Sequence, residues 1–284
     1  MNCQVCGNVG SLAFIKNNYR ILKCKRCNHY FTELKVTFEK VNEIYSDNYF
    51  YGGGDGYPDY TLERDILIRQ GEYYSQKISK FISHGKVLDV GAAAGFILKG
   101  FENMGWQGVG IEPNVKMVEY GKKVLGIDLQ QGTLETARFD EKFDLIMLIQ
   151  VIACLYSLNR SIKNAYDLLK PGGYVLIETG NTSSLTAKLF GKFWHEYCPP
   201  STLNYFNKKN LDNLMNKFNF QKIKSGRPQK KIISNHAKSL VRHKMEDIRF
   251  LKNFSGIVNV IPNDVILPYP GEDLFWVLYH KPNK

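Results

Sequence analysis

The sequence predicts an α/β protein: a parallel sheet covered by helices on both faces, with a small cysteine-bearing module in front and an insertion before the last strand. Three observations predict it. Short apolar runs alternate with helix-length segments from about residue 86 onward. One run passes directly into a glycine-bearing turn, "VLDVGAAAGF" at Val87–Phe96. Four of the six cysteines fall in two C-x2-C pairs near the start. With 284 residues, 44% of them apolar, the chain has enough material for a sizeable core.

Residues 1–35 form the first unit. Cys3-x2-Cys6 and Cys24-x2-Cys27 stand 17 residues apart, and Gly7 eases the turn after the first pair. Paired thiolates at this spacing are a zinc signal; two disulfides or an iron–sulfur site are the alternatives. Four thiolates leave no open coordination position, so the expected Zn2+ is structural. His29 lies just past Cys27 and is left out of the ligand set. Residues 36–83 follow: an aromatic, glycine-rich stretch, "FEKVNEIYSDNYFYGGGDGYPDY", then a helix from Leu62 to about Ser83. Tyr45, Tyr49, Tyr57 and Tyr60 around Gly52–Gly54 have the composition of a lid.

Residues 84–226 carry the alternation. Strands are expected at Lys86–Val90, Gln107–Ile111, Leu129–Gln131, Phe143–Ile149, Tyr174–Glu178 and Phe220–Lys224. Helices are expected at Phe96–Met104, Lys116–Leu125, Arg160–Leu169 and Lys208–Phe218. Apolar runs without polar alternation fit strands buried on both faces. Residues 227–284 hold the insertion and a last strand, Trp276–His280. Within the insertion, Ile233, Ala237, Leu240, Val241, Met245, Ile248 and Leu251 form a helical stripe. Lys222, Lys224, Arg227, Lys230, Lys231, Lys238, Arg242 and Lys244 cluster there with no acidic residue between Lys222 and Lys244. They supply most of a net charge of +11 and suit a phosphate-bearing ligand, with a solvated helix face as the alternative.

The turn after the first sheet strand reads Gly91-Ala92-Ala93-Ala94-Gly95. A dinucleotide turn needs a second glycine where Ala93 stands, so that backbone can approach a pyrophosphate. Its absence points to a nucleoside ligand without phosphates. Asp89 at the strand's carboxyl end can order the loop or meet an ammonium, and Glu112, 21 residues past Gly91, can accept two ribose hydroxyls. "GVGIEPN" and "QGTLE" then place Pro113, Thr133 and Leu134 beside a base, and "LLKPGGYVLIE" supplies a helix end, a turn at "KPGG" and the fifth strand.

These motifs resemble the class I SAM-dependent methyltransferases, where SAM is S-adenosylmethionine. With the cysteine pairs, "YF…GGGDGYPDY", "W…PP…LNYF" and the terminal strand, the resemblance covers nearly the whole chain. It extends to the branch with an N-terminal zinc ribbon found in sugar, surface-polysaccharide and antibiotic biosynthesis. The resemblance implies a Rossmann-like sheet that binds SAM through Asp89, Gly91, Ala92, Gly95, Phe96, Glu112, Pro113, Thr133, Leu134 and Gln150. It also implies a small-molecule acceptor, anionic or phosphate-bearing, such as a nucleotide-linked sugar or glycoconjugate precursor methylated on oxygen or carbon. Members of this branch often carry Glu-His after the fourth strand and "PPEHL" further on. Here those positions read Ala153-Cys154 and Pro199-Pro200-Ser201-Thr202-Leu203. His195 in "WHEY" is the nearest imidazole and the candidate general base. Tyr49, Tyr60, Tyr197, Thr202 and Tyr205 are candidates for the acceptor pocket.

Two other readings stay open: an rRNA or tRNA methyltransferase with a zinc ribbon, which the positive charge would suit, and a non-catalytic SAM-binding zinc-ribbon scaffold. The opening "MNCQVCGNVG" lacks a signal-peptide pattern, and the longest apolar run, Leu145–Leu158, is short for a spanning helix. Cys154 and Cys198 stand apart from the pairs. The expectation is a cytoplasmic protein.

Overall fold

The computed structural model describes residues 1–52, 56–239, 262, 265–269 and 271–283. The chain opens with β1 (Gly10–Lys16), β2 (Tyr19–Cys24) and β3 (Tyr30–Thr32), an antiparallel meander. The aromatic stretch forms two short helices, α1 (Phe38–Ile44), whose N-terminus the Thr37 side chain caps, and α2 (Asp47–Tyr51). Gly53 and Gly54 of the expected lid lie outside the described residues. The helix expected from Leu62 to Ser83 starts with a 3-10 turn, Tyr60–Glu63, and continues as α3 (Arg64–Ile78).

Alternation then proceeds through β4 (Lys86–Val90), α4 (Phe96–Asn103), β5 (Gln107–Glu112), α5 (Val115–Tyr120), β6 (Leu129–Gln131) and β7 (Phe143–Ile149). It continues with α6 (Leu158–Leu168), β8 (Leu169–Gly180), α7 (Leu185–Phe190), β9 (Asn204–Tyr205), α8 (Lys208–Lys217) and β10 (Gln221–Gly226). A hairpin, β11 (Lys230–Ile233) with β12 (Ile266–Tyr269), precedes β13 (Leu274–His280). The main sheet has the order β10-β13-β8-β7-β4-β5-β6.

Three expectations need correction. The sheet is mixed, because β13 runs antiparallel to both β8 and β10. Residues buried on both faces look alike in either direction, so apolar content carries no strand polarity. "KPGG" is not a turn ahead of the strand: β8 starts at Leu169, directly after α6, and takes Gly172 into it at φ +76°. The segment before the last strand is not simply helical. It begins with β11, and residues 234–239 are helical, while Leu240, Val241, Arg242, Lys244, Met245, Ile248 and Leu251 lie outside the described residues.

The central strands are apolar throughout because both of their faces are covered; Leu145, Ile146, Met147 and Leu148 of β7 are fully buried. Two glycines set the approach of α3 to α4. A Cβ on Gly100 would lie 2.2 Å from the Ile68 carbonyl oxygen, and one on Gly71 would lie 2.2 Å from that of Ile97. The helices therefore touch backbone to backbone. Among the described residues no helix is long and apolar enough to cross a membrane.

The cysteine-bearing meander is tied to the sheet's crossovers. β3 pairs with β9, with Tyr30 opposite Tyr205. Gln4 Oε1 accepts the Leu158 N–H at 2.8 Å, which caps the first turn of α6. Thr32 Oγ1 donates to the Thr202 carbonyl at 3.0 Å.

Candidate functional site

At the carboxyl end of β4 the backbone takes left-handed conformations at alternate residues: Gly91 (φ +64°), Ala93 (φ +48°) and Gly95 (φ +80°). Gly91 is obligatory on two counts, since a Cβ there would also lie 2.6 Å from Val151 Cγ2. For Ala93 the conformation costs about 1–2 kcal/mol. Its N–H donates to Glu112 Oε2 at 2.9 Å, and its methyl joins the buried cluster of Phe50, Tyr60 and Phe96. Glu112 Oε1 accepts the Asn114 N–H at 2.9 Å. One carboxylate thus clamps the turns after both β4 and β5.

Beneath the two short aromatic helices lies a cavity of about 180 Å3. Asp89, Gly91, Ala92, Glu112 and Pro113 line one side; Thr133, Leu134 and Gln150 line another; Tyr45, Tyr49, Tyr57 and Tyr60 also face it. Asp89 and Glu112 are both buried. Burial, and then the neighbouring Glu112 charge, push the Asp89 carboxyl up to about 8. Burial pushes Glu112 up to about 7 against the lowering effect of its two backbone hydrogen bonds. The one basic residue in the described lining, Lys230, is paired with Glu178, so the two buried acids make a site that favours a positively charged ligand with hydroxyls to donate, and the residues present fit SAM.

A second cavity, about 210 Å3, opens beside the first. Tyr49, Tyr57, Leu67, Gln150, Cys154 and Lys230 belong to the walls of both. His195, Glu196, Thr202, Lys231 and Tyr269 are among the other residues that line the second. His195 Nε2 lies 2.9 Å from the Tyr269 hydroxyl, 3.4 Å from Glu196 Oε1 and 3.6 Å from Asp273 Oδ2. Asp273 is buried and accepts from Trp194 Nε1 at 2.8 Å and from the Tyr269 hydroxyl at 3.0 Å. Burial holds the Tyr269 phenol far above its ordinary range, so it stays protonated.

At the shared wall, Gln150 leaves β7 with φ +60°. Its side-chain amide donates to Glu178 Oε1 at 2.9 Å, and its backbone N–H to the Glu178 carbonyl at 2.9 Å. Glu178 is fully buried and also accepts from the Tyr74 hydroxyl and from Lys230 Nζ, the latter at 2.8 Å. Burial alone would lower the Lys230 ammonium, but the Glu178 carboxylate outweighs it and holds Lys230 above its ordinary value.

Of the expected cofactor residues, Gly95 and Phe96 do not line the first cavity. Gly95 is the N-cap of α4. Phe96 is fully buried and stacks on Tyr60, centroids 5.3 Å apart. Of the expected acceptor residues, Tyr49 and Thr202 line the second cavity and Tyr60 lines the first. Tyr197 and Tyr205 lie in neither wall: both pack with Ile21, Ala187 and Trp194 against the meander. Glu178, Lys230, Tyr269 and Asp273 went unread as site residues. Lys230 is hidden in a run of basic residues, and nothing local marks the other three.

The four paired cysteines converge. Cys3 and Cys27 Sγ lie 3.6 Å apart, Cys6 and Cys24 Sγ 3.4 Å apart, and all four sulfurs are within 4.8 Å of one another. Those spacings are far longer than a disulfide bond of about 2.05 Å. They are close to the roughly 3.8 Å edge of a tetrahedron with Zn–S bonds of about 2.3 Å. The donor set therefore fits Zn2+. Gly7 (φ +76°) and Asn28 (φ +59°) turn the chain after each pair. His29 is fully buried and packs on Phe206 rather than joining the cluster.

A family model described as a methyltransferase domain matches residues 66–225. The chain is 29% identical over 123 residues to a ubiquinone biosynthesis O-methyltransferase of Rhodopseudomonas palustris (strain BisB5), covering 42% of this chain and 48% of the relative. It is 26% identical over 126 residues to the protein of the same description from Bradyrhizobium sp. (strain ORS 278), covering 43% and 49%. The chain thus spans about half the length of these curated relatives. Its fold is also that of a SAM-dependent methyltransferase from Thermotoga maritima, with a TM-score of 0.51 at 19% identity over 76% of this chain and 92% of that one.

Proposed function

The chain belongs to the methyltransferase-domain family, and from that premise we propose that it is a SAM-dependent enzyme that O-methylates a small, anionic, hydroxylated molecule. The observation that carries this reading is the common wall of two cavities, one lined by Asp89 and Glu112 and the other by His195. The cofactor, when bound, supplies an electrophilic methyl on a sulfonium. Glu112 binds the ribose and Asp89 faces the cationic amino-acid end. Gln150, Cys154, Tyr49 and Tyr57, in the walls of both cavities, would hold the acceptor oxygen at the boundary between them. His195, in the wall of the second cavity, would take the proton of the acceptor hydroxyl as that oxygen is methylated. Glu196 and Asp273 stabilise the resulting imidazolium.

The names of the matched relatives support oxygen as the methylated atom. Lys231 in the wall of the second cavity supports an anionic acceptor, whereas Lys230 is already paired with Glu178. A nucleotide-linked sugar or glycoconjugate precursor meets that chemistry; this narrower choice rests on the resemblance of the flanking segments alone. Cys3, Cys6, Cys24 and Cys27 hold one structural Zn2+ in this reading.

The test is single-turnover methyl transfer into a panel of hydroxylated acids, phenols and nucleotide sugars by wild type and His195→Ala. The expected result is transfer to at least one of them, slowed about 10²–10⁴-fold in the variant with SAM affinity unchanged. Equal rates would remove His195 from the chemistry. Transfer to nitrogen or carbon, or to tRNA or rRNA fragments alone, would overturn the acceptor assignment.

A further inference from the structure

From Leu185 to Phe193 the chain shows an apolar face that nothing among the described residues covers. Leu185 is 73% exposed, Leu189 77%, Phe190 52% and Phe193 37%. The opposite side of the same segment is anchored: Ala187 packs with Ile21, Trp194 and Tyr197, against Phe14 of β1. The short 3-10 turn Gly191–Phe193 lies beside β1, whose own Leu12 and Ile15 are 51% and 56% exposed. Exposed apolar side chains from two neighbouring elements thus make one patch on a rigid support, and patches of this kind mark contact surfaces.

The charge around this patch is predominantly positive. Lys188 and Lys192 are exposed within it, and Lys192 Nζ lies 5.2 Å over the Phe193 ring. Residues 1–32 contain Lys16, Arg20, Lys23, Lys25 and Arg26 and no acidic residue, and residues 179–195 contain none either. Two nearby carboxylates are engaged: Glu272 accepts the Leu185 and Thr186 N–H groups at the start of α7, and Glu33 pairs with Arg20 at 3.1 Å.

We propose that the α7–β1 face docks on an anionic lipid surface, with Leu185, Leu189, Phe190 and Phe193 entering the interface and Lys188 and Lys192 meeting the headgroups. An apolar stripe flanked by lysines on a surface helix has the composition of an in-plane interfacial segment, and lysines near an anionic leaflet add attraction that salt screens. A second copy of the chain is disfavoured as the occupant, because two such faces would bring like charges together. A nucleic acid would leave the aliphatic side chains without a partner.

Position gives the docking a use. Two residues after Phe193, His195 lines the second cavity. A membrane on this face therefore lies close to the acceptor cavity, within reach of an acceptor held in lipid. The docking itself is independent of the methyltransferase reading and is measured without turnover.

The experiment is co-sedimentation of the full chain with vesicles of phosphatidylcholine alone and with about one third phosphatidylglycerol, at low and high salt. It uses wild type, Leu189→Glu/Phe190→Glu and Lys188→Glu/Lys192→Glu, each checked by circular dichroism and SAM titration. The expected result is binding to the anionic vesicles only, weakened by salt and reduced at least tenfold in both variants. Absence of binding, or binding unaffected by the variants, overturns the proposal. So does a dimer or an RNA complex that the same substitutions abolish without any vesicle binding.

Discussion

Ala93 adopts φ +48° only because a carboxylate holds it there: Glu112 accepts its N–H and that of Asn114, one on each oxygen. Each oxygen retains a lone pair, so the same group can take ribose hydroxyls without releasing the loop. Replacing Glu112 with Ala removes both functions. The expected loss of SAM affinity is about 1.5–3 kcal/mol, the range for hydrogen bonds to a charged group, or roughly one to two orders of magnitude in Kd. Titration calorimetry checks it, and an unchanged Kd would move the ribose elsewhere in the cavity. Glu112 was legible because its position is fixed by spacing: one βα unit after Gly91, at a strand end. Lys230 and Glu178 were not. Their pairing joins residues 52 positions apart, and only the fold shows that the basic run sends one lysine to a buried carboxylate at 2.8 Å. His195 was found by elimination, but its Tyr269 and Asp273 partners come from β12 and the loop before β13, which sequence proximity cannot supply.

The cysteine-bearing meander shows how elements, rather than residues, shape the acceptor side. Its ties to the main body include β3 on β9, Gln4 on the N-terminus of α6, Thr32 Oγ1 on the carbonyl of Thr202, which lines the second cavity, and Asn17 Nδ2 on the Pro199 carbonyl at 3.2 Å. The strands are short, and β3 contributes only three residues, so the cluster is poorly held unless a metal crosslinks it. Purified protein is expected to carry one zinc per chain. Cys3→Ser is expected to lose it and to melt at least several degrees lower, since in a chain of this size each kcal/mol moves Tm by about 2–4 °C. Elemental analysis with thermal scans of both proteins checks this; wild type without zinc, or equal melting temperatures, would refute it. The cysteine spacing made the cluster legible in the sequence, but not its docking. β9 is two residues long and reads as loop, and the α1–α2 pair is too short and too aromatic for a periodic signal. The alternating core strands were legible because their apolar runs are bounded by turn residues, whereas the direction of β13 is set by its neighbours.

For the molecule as a whole, the two buried acids couple ligand binding to stability. In the unfolded chain Asp and Glu titrate near 3.9 and 4.3. In the folded chain burial raises Asp89 to about 8 and Glu112 to about 7. Between those limits the native state holds more protons than the unfolded state, so stability falls as pH rises. The contribution is fully present below about pH 4 and is lost on passing through 7 to 8, where both carboxylates are charged and face each other in the cavity. A cationic ligand reverses this at the cavity itself. SAM neutralises the ionised pair and binds the folded chain alone, so its stabilisation grows as its Kd falls. Two slopes of opposite sign follow. The ligand-free melting temperature of wild type, relative to Asp89→Asn, should decline from pH 5 to pH 8.5. The increase in melting temperature produced by a fixed concentration of SAM should rise over the same interval. Asp89→Asn carries no charge to lose, so it should flatten both trends, leaving the smaller contribution of Glu112. Thermal scans at half-unit pH steps, with and without SAM, measure both slopes in one series. A SAM-induced shift independent of pH in wild type would mean that the pair is not in the ligand's field, and would remove Asp89 from the binding site.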